Sequence, residues 1–371
     1  MLEITTTHAV PPVARRPRVA VIGCGYWGVN YVRVFSELRE AQLAAICEPR
    51  ADRLAEIGSR FPAADLVVEL DDLLVRDDID AVVVATSATS HHSVTKRCLE
   101  AGKHVLVEKP LATTVAESAE LVHLARSRGL VLMVGHTFIY NSSIEKIRSY
   151  LEAGTLGRIY YLYSRRTNLG PIRHDVNALW DLAPHDISIF NHLLGMTPEW
   201  VSAIGVKLLR NSREDAGFIT LGYPNGVVGN IHVSWADPNK VRELVVVGSE
   251  CRVVFDDVNP SEPIRIFEKA VSAGDGPIEP RGEYPLHIRD GDIISPRVLA
   301  TEPLKNQCRH FLECVETGAT PRTPGEDGVN VVAVMDAITR SIEARGAPTP
   351  VELPAPQPWV PAAAALGTVH G

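Results

Sequence analysis

The chain has 371 residues, of which 45% are hydrophobic and 22% are charged, and its formal net charge is −8. A single hydrophobic core stops growing at roughly 250–300 residues, so this length predicts two domains. The acidic balance, without a basic cluster, argues against a nucleic-acid or acidic-membrane partner. No apolar run is long enough to span a membrane.

The N-terminal segment and the cysteines predict the cellular compartment. Residues 1–17 have no apolar signal-peptide core, and we expect them to form a loose leader. The six cysteines form no Cys-x-x-Cys pair, which is typical of a reducing compartment. We therefore expect a cytoplasmic protein.

A glycine turn follows the first apolar run, at residues 19–22. The turn reads Gly23-x-Gly25-x-x-Gly28 and leads into an amphipathic segment over residues 29–38, predicted to be a helix. Gly23 permits a tight turn, Gly25 lets a pyrophosphate approach the backbone, and Gly28 allows close packing of helix on strand. Free N–H groups at the helix start would hold the anion. This order of strand, glycine turn and helix predicts a dinucleotide-binding unit.

A carboxylate follows the second predicted strand, residues 42–47. Glu48 lies about 20 residues beyond Gly28, where an acidic side chain binds the adenosine ribose 2′-hydroxyl. The Glu48 carboxylate would repel a 2′-phosphate, and this favours NAD as the cofactor. Arg50 lies close enough in sequence to accommodate a 2′-phosphate, so NADP is the alternative cofactor. The alternative is an ordinary βαβ unit with a surface glutamate.

Strand and helix patterns alternate up to about residue 140. We predict helices at 51–60, 92–101 and 115–128, strands at 80–85, 104–107 and 131–135, and short segments at 65–68 and 71–75. The nearly continuous apolar run at 80–85 is typical of a parallel strand covered on both faces. Residues 18–140 therefore form a predicted doubly wound parallel sheet of about six strands. The loops at 23–28, 48–50, 86–91, 108–110 and 135–141 would face one crevice.

The pattern changes beyond residue 141. A helix at 142–153 precedes predicted strands at 158–165, 200–206, 217–223, 227–234, 241–247 and 252–255. These predict a mostly antiparallel sheet with helices on one face, an α+β domain over residues 141–348. We predict a loop at 259–302, helices at 304–316 and 325–345, and a Pro- and Ala-rich tail at 349–371 that is docked or mobile.

Lys109 is the first candidate for catalysis. It follows a predicted strand, precedes Pro110, and would lie over the position of a bound nicotinamide. The alternative is a surface lysine in a strand-to-helix loop.

The second candidate is His185. Pro184 suits the first position of a helix, which would place His185 in the first turn, where the helix dipole keeps an imidazole neutral. Asp181 could orient it, and Asp186 is predicted to be a first-turn acid that serves the dipole. A structural helix-start histidine is the alternative.

Four further histidines were considered as ligands of a metal ion. The spacings match no ligand pattern, and we predict no metal site at His91, His136, His174 and His192.

Three motifs in order carry a family resemblance: GCGYWG, the tripeptide Glu108-Lys109-Pro110, and DLAPHD. Over residues 18–345 the chain resembles the family of glucose-fructose oxidoreductase, inositol dehydrogenase and rhizopine catabolism proteins. The resemblance implies that Lys109, Asp181 and His185 act on a substrate hydroxyl and that the Lys-Pro bond is cis, as is common in relatives. The usual Thr-Pro after the fourth strand is Thr86-Ser87 here.

The segments HTFIYN, LGRIYYLYS and NALWDLAPHD are similar to those of bacterial members that act on a ring carbon of a sugar nucleotide, such as UDP-N-acetylglucosamine 3-dehydrogenases. The resemblance implies a nicotinamide-dependent dehydrogenase or reductase of a sugar, nucleotide-linked, working as a homodimer or homotetramer. Either Lys109 or His185 would be the immediate proton acceptor. Alternatives are a cyclitol or aminoglycoside dehydrogenase, a keto-sugar reductase, and a protein that binds nicotinamide without turnover.

These motifs also give candidate contacts. Candidate cofactor contacts are Gly23, Gly25, Tyr26, Trp27, Gly28, Glu48, Arg50, Thr86, Ser87, His91, Glu108, Lys109 and His136. Candidate substrate contacts are Lys109, Tyr140, Arg166, Asn168, Arg173, Trp180 and His185.

Overall fold

The first sheet is parallel and has six strands. The computed structural model describes residues 15–173, 176–209, 212–273 and 286–354. The strands are β1 (Arg18–Ile22), β2 (Gln42–Cys47), β3 (Asp65–Val67), β4 (Ala81–Val84), β5 (His104–Val107) and β6 (Leu132–Val134). Their order in the sheet is β3-β2-β1-β4-β5-β6, with every pairing parallel. The predicted doubly wound sheet is confirmed.

Five helices connect these strands. They are α1 (Tyr26–Glu37), α2 (Ala51–Arg60), α3 (Leu70–Leu74), α4 (His91–Glu100) and α5 (Val115–Ser127). Helix α1 begins three residues before the predicted start because Gly25 is its extended N-cap, so the last glycine of the motif lies inside the helix. Every residue of β4 is fully buried, as expected for a central parallel strand between two helical layers.

The second sheet has nine strands within the described residues, in the order β16-β13-β12-β11-β7-β10-β9-β8-β17. Only the pairing of β7 with β10 is parallel there, so the prediction of a mostly antiparallel sheet is confirmed. A separate two-stranded ribbon pairs β14 with β15. The strands of both are β7 (Ile159–Leu169), β8 (Trp200–Val206), β9 (Ala216–Gly222), β10 (Val228–Ser234), β11 (Ala236–Gly248), β12 (Arg252–Asp256), β13 (Ile264–Phe267), β14 (Ala270–Ala273), β15 (Leu286–Arg289), β16 (Ile293–Ile294) and β17 (Thr349–Pro350).

The prediction of a loop over residues 259–302 is wrong. Strands β13 to β16 lie within this range, and residues 274–285 lie outside the described part of the chain. Ile264 and Ile266 alternate with Arg265, and both isoleucines are buried as β13 pairs with Phe255 and Val253 of β12. The alternation of buried and outward-facing residues favours a strand here. It does so although the surrounding sequence is rich in Pro and Gly, which led to the prediction of a loop.

Four helices belong to the second half of the chain: α6 (Ser142–Glu152), α7 (Ala178–Leu194), α8 (Pro303–Thr317) and α9 (Gly325–Glu343). Helix α7 packs on β9 and β10, where Gly217 and Gly229 leave room for Leu179 and Phe190. Helix α9 packs on β8 and also on α5 and β6 of the first sheet. The C-terminal helices therefore join the two sheets. No helix of the described ranges is long and apolar enough to cross a bilayer.

The face of the second sheet opposite α7 is open. Phe218 is 49% exposed and stacks on His232 with 4.5 Å between ring centroids, and Tyr161 is 47% exposed beside Tyr163. Residues 349–350, the start of the predicted tail, pair with β8, while the tail from residue 355 lies outside the described part.

Candidate active site

The three glycines of the first turn have different surroundings. A Cβ on Gly23, whose φ is +89°, would lie 2.8 Å from the Ala85 carbonyl oxygen, and one on Gly28 would lie 1.9 Å from the Gly23 carbonyl oxygen. A Cβ on Gly25 would meet nothing within 4 Å. The fold therefore requires Gly23 and Gly28, whereas Gly25 faces open space. Helix α1 has no side-chain cap and no acidic residue in its first turn, so its N–H groups fit a pyrophosphate.

Glu48 is 3% exposed and closes this turn. Its Oε2 accepts a hydrogen bond from the Cys24 N–H at 2.7 Å, and its Oε1 accepts one from Arg50 Nε at 2.7 Å. Burial raises the pKa of Glu48, but the hydrogen bonds from Arg50 and Cys24 outweigh it and lower the pKa below the ordinary value. The carboxylate stays charged beside the glycine turn, and the contact with the ribose stays a prediction.

His91 ties two of the strand-end loops together. It is 1% exposed, its Nδ1 lies 2.7 Å from the Pro110 carbonyl oxygen, and its Nε2 lies 3.2 Å from the Thr86 carbonyl oxygen. The Lys109–Pro110 peptide bond is cis, as the family resemblance implies. His91 thus contacts the backbone of the loops, and Ser87 bonds to Ser90 within the first of them.

Glu108 is held by a chain of buried side chains. Its Oε1 accepts from the Tyr31 hydroxyl at 2.7 Å, which in turn accepts from Gln307 Nε2 at 3.0 Å. Its Oε2 accepts from the Lys109 N–H at 3.1 Å. Burial raises the pKa of Glu108, although the bond from Tyr31 and the charge of Lys109 oppose this. Tyr31 and Gln307 were not predicted to be site residues, because no sequence pattern distinguishes either of them from other residues of a helix.

Lys109, which follows β5, and Asp181, which lies in α7, are in direct contact. Lys109 Nζ donates to the Asp181 carbonyl oxygen at 2.7 Å and lies 3.3 Å from its Oδ1. Asp181 also accepts from Arg173 at 3.0 Å and from the indole N–H of Trp235 at 3.2 Å. Burial raises the pKa of Asp181, but Lys109 and Arg173 together lower it below the ordinary value. Trp235 was not among the predicted site residues.

Helix α7 begins earlier than the sequence indicated. It starts at Ala178 because the side chain of Asn177 caps it, and Pro184 lies in its interior. The prediction that Pro184 occupies the first helical position is therefore wrong. Asp181 takes the first turn instead, and His185 lies one turn further along the same face.

His185 is neutral for a different reason from the predicted helix dipole. Burial lowers its pKa well below the ordinary value, and the nearby charges of Lys109 and Arg166 lower it further, with His136 contributing. Its Nδ1 is buried and has no hydrogen-bond partner among the described residues. A neutral buried imidazole can accept a proton.

An ion pair and an aromatic ring support His185. Arg166 bonds both carboxylate oxygens of Asp186, at 2.8 and 3.1 Å, and both residues are buried. The guanidinium lies 4.3 Å from the Phe138 ring centroid, and this ring meets His185 edge-on at 5.1 Å. The prediction that Asp186 serves the helix dipole is therefore wrong, because its carboxylate neutralises a buried arginine.

The remaining predicted residues are spread around this cluster. Tyr26 is 83% exposed and Trp27 39% exposed at the start of α1. Asn168 donates to the Gly170 carbonyl oxygen, and Trp180 donates to Thr339. Tyr140 is 1% exposed and bonds to Thr323, so the structure does not bring it to the crevice.

His136 and His174 complete the predicted set. His136 is buried, with its pKa lowered to about 3 by burial and by Lys109. His174 lies outside the described residues. In the described part of the chain, no group of three or more His, Cys, Asp or Glu residues could hold a metal ion.

A Rossmann-type sheet with this turn and a lysine, aspartate and histidine beside it defines a nicotinamide-dependent oxidoreductase. Comparison with family models agrees: residues 17–136 match the oxidoreductase family with an NAD-binding Rossmann fold, and residues 144–254 match the GFO/IDH/MocA C-terminal domain. The chain belongs to the GFO/IDH/MocA family of oxidoreductases.

Three similar proteins show the range of substrates in the family. D-apiose dehydrogenase of Paraburkholderia graminis is 25% identical, over 91% of this chain and 89% of the relative. Myo-inositol 2-dehydrogenase of Thermotoga maritima is 26% identical, over 88% of this chain and 96% of the relative. UDP-N-acetylglucosamine 3-dehydrogenase of Acidithiobacillus ferrooxidans is 30% identical, over 65% of this chain and 74% of the relative.

Proposed function

We propose that this protein transfers hydride between NAD and a ring carbinol or ketone of a nucleotide-linked sugar. The contact of Lys109 with Asp181, one helical turn from His185 and beside a loop that ends a Rossmann strand, supports this chemistry most directly. The bound nicotinamide supplies the hydride acceptor or donor. A charged Glu48 at the second strand end favours NAD over NADP.

His185 is the proton acceptor in this proposal. Its imidazole is neutral because it is buried near two cations, Lys109 and Arg166, and a neutral imidazole takes the proton of a carbinol. Lys109 donates a hydrogen bond to the substrate oxygen and stabilises the negative charge that develops there. Asp181 holds the ammonium group in place and is itself held by Arg173 and Trp235.

The identity of the sugar rests on the relatives. UDP-N-acetylglucosamine 3-dehydrogenase is the most identical of the three proteins compared above, at 30%, and supports a nucleotide-linked hexose. Myo-inositol 2-dehydrogenase and D-apiose dehydrogenase are similar over more of this chain, so a cyclitol or free sugar is the second candidate. One set of acid–base residues would serve each of them.

A substrate panel separates these candidates. Purified protein with NAD or NADP is assayed for reduced nicotinamide against UDP-N-acetylglucosamine, its uronate, dTDP-hexoses, free sugars and inositols. We expect kcat/KM to be highest for one nucleotide sugar with NAD. Turnover with only free inositols or free sugars would overturn the substrate proposal. Tight NAD binding without turnover in either direction would favour a protein that binds nicotinamide without catalysis.

We also propose that the protein is a cytoplasmic homodimer or homotetramer. The open sheet face exposes the apolar side chains of Phe218, Tyr161, Ile204 and Val228, and exposed apolar side chains that lie together suit self-association. The six cysteines are free and buried, which suits a reducing compartment. Size-exclusion chromatography with light scattering tests the assembly, and a monomer at micromolar concentration would contradict it.

A further inference from the structure

A chain of three buried side chains joins the first half of the protein to the second, next to the loop that carries Lys109. Gln307 of α8 donates from its Nε2 to the Tyr31 hydroxyl at 3.0 Å, and Tyr31 of α1 donates to Glu108 Oε1 at 2.7 Å. Tyr31 and Gln307 are fully buried, and Glu108 is 7% exposed. The chain therefore ends on a carboxyl group that water hardly reaches.

The hydrogen bonds to Glu108 suit its charged form. Its Oε1 accepts from Tyr31, and its Oε2 accepts from the Lys109 N–H at 3.1 Å. Two accepting oxygens satisfy a carboxylate and leave no acceptor for a carboxyl proton. Burial raises the pKa of Glu108, while the bond from Tyr31 and the charges of Lys109 and Arg173 oppose this. Loss of the Tyr31 hydroxyl would leave one buried oxygen unpaired, which favours the neutral form.

Glu108 also lies close to two of the loops predicted to face the crevice. It begins the loop that carries Lys109, and a Cβ on Gly135, which follows β6, would lie 3.3 Å from its Oε1. Lys109 shares the carboxylate of Asp181 with Arg173. An ionised Glu108 is thus a second anion at this place, where we propose that the nicotinamide binds.

We propose that Tyr31 and Gln307 hold Glu108 as a buried anion that makes the site prefer oxidised to reduced nicotinamide. The inference rests on the proposed binding of NAD beside Lys109. The nicotinamide ring is positively charged in NAD⁺ and neutral in NADH, and opposite charges attract strongly where water is excluded. A fixed anion therefore stabilises the NAD⁺ complex and leaves the NADH complex without that gain. Tyr31 and Gln307 are positioning residues that act through Glu108.

The test is the ratio of the dissociation constants for NADH and NAD⁺, measured by calorimetric titration without any sugar. Tyr31→Phe removes only the hydroxyl and should weaken NAD⁺ binding roughly tenfold while NADH binding changes by less than about twofold. Gln307→Leu should shift the ratio less, because Tyr31 keeps its own bond to Glu108. Tyr223→Phe is the matched control and should leave the ratio unchanged, since it removes another buried tyrosine hydroxyl, which donates to Asn191 at 3.1 Å.

The pattern of binding separates a charge effect from a structural one. An unchanged ratio in Tyr31→Phe, or equal weakening of both cofactor forms, would mean a purely structural role for the hydroxyl and would overturn the inference. A parent protein that binds neither form would overturn the inference together with the proposed function. A shifted ratio would support the inference even if the whole sugar panel failed, which would count against the proposed substrate alone.

The charge of Glu108 is measured independently of any cofactor. In protein labelled with ¹³C at the glutamate carboxyl groups, the Glu108 signal is assigned by its loss in Glu108→Gln, and its chemical shift reports the protonation state. We expect an ionised carboxylate at neutral pH in the parent and a neutral carboxyl group in Tyr31→Phe. A protonated Glu108 in the parent would mean that the donors run the opposite way, from Glu108 through Tyr31 to Gln307. That result, or an ionised Glu108 in both proteins, would overturn the inference.

Discussion

The ammonium group of Lys109 lies 2.7 Å from the carbonyl oxygen of Asp181 and 3.3 Å from its carboxylate. Lys109 follows β5 of the first sheet, and Asp181 lies in the first turn of α7, which packs on the second sheet. This contact joins the cofactor-binding half of the chain to the proposed substrate-binding half at the place where the chemistry is proposed to occur.

Two alanine substitutions in the glycine turn should behave differently. Gly25→Ala adds a methyl group that meets no protein atom within 4 Å, so the protein should fold normally but bind NAD more weakly, because the methyl group occupies the approach to the backbone. Gly28→Ala would place its methyl carbon 1.9 Å from the Gly23 carbonyl oxygen and should prevent packing of α1.

Calorimetric titration with NAD and thermal unfolding distinguish the two variants. Unchanged NAD affinity in a folded Gly25→Ala protein would contradict the placement of the pyrophosphate.

The buried pair of Arg166 and Asp186 should be sensitive to loss of one partner. Asp186→Asn leaves a buried guanidinium without its counter-charge, and the free energy of unfolding should fall by roughly 3–5 kcal/mol. Asp336→Asn is the matched control, because Asp336 pairs with Arg340 at the surface, where such pairs contribute about 0–1 kcal/mol. Urea unfolding measures both, and equal losses would show that the burial of the first pair is unimportant.

Stability should fall with acid in a defined range. Burial, aided by Arg148 and Arg322, lowers the pKa of His192 to about 4, whereas an unfolded histidine titrates near about 6.5. Between these values the unfolded chain binds the extra proton, so this group's contribution is present above about pH 6.5 and is lost as the pH falls toward 4.

His192→Gln should therefore weaken the dependence of Tm on pH across this range. The same change at His123, an exposed histidine on α5, should leave it unaltered. An identical pH dependence in the parent and in His192→Gln would contradict the assignment.

The open sheet face should be needed for assembly. Phe218→Glu places a charge in the middle of the stacked pair with His232 and should dissociate the oligomer without unfolding the monomer. Val75→Glu, at a 77% exposed apolar site on the first half of the chain, is the control and should leave the mass unchanged. Light scattering reports both, and an intact oligomer in Phe218→Glu would place the interface elsewhere.

Local sequence patterns were sufficient for the first sheet and for much of the second. The apolar run of β4 and the three glycines predict their structures because burial and backbone sterics act on neighbouring residues. The pairing of Lys109 with Asp181 could be expected only from the family resemblance, since the two are far apart in sequence.

Other parts of the site depend on tertiary contacts that no local pattern carries. The role of Pro184 was misread because the cap at Asn177 and the packing of α7 outweigh the preference of proline for a helix start. Tyr31 donates a hydrogen bond to Glu108, and Trp235 donates one to Asp181. Gln307 supports the first of these by donating to Tyr31. The three residues lie on segments that are far apart in the sequence. The neutral state of His185 was anticipated, but its cause, burial beside Lys109 and Arg166, required the fold.

The most direct test of the central claim is the rate of reduced nicotinamide formation in the parent protein, Lys109→Met and His185→Ala, at saturating NAD and nucleotide sugar. NAD affinity is measured on the same samples. If His185 takes the proton and Lys109 stabilises the charge that develops on the substrate oxygen, His185→Ala should lose roughly 10²–10⁴-fold in kcat and Lys109→Met roughly 10²–10³-fold, while both still bind NAD. Turnover within a few-fold of the parent in either variant would contradict the role assigned to that residue.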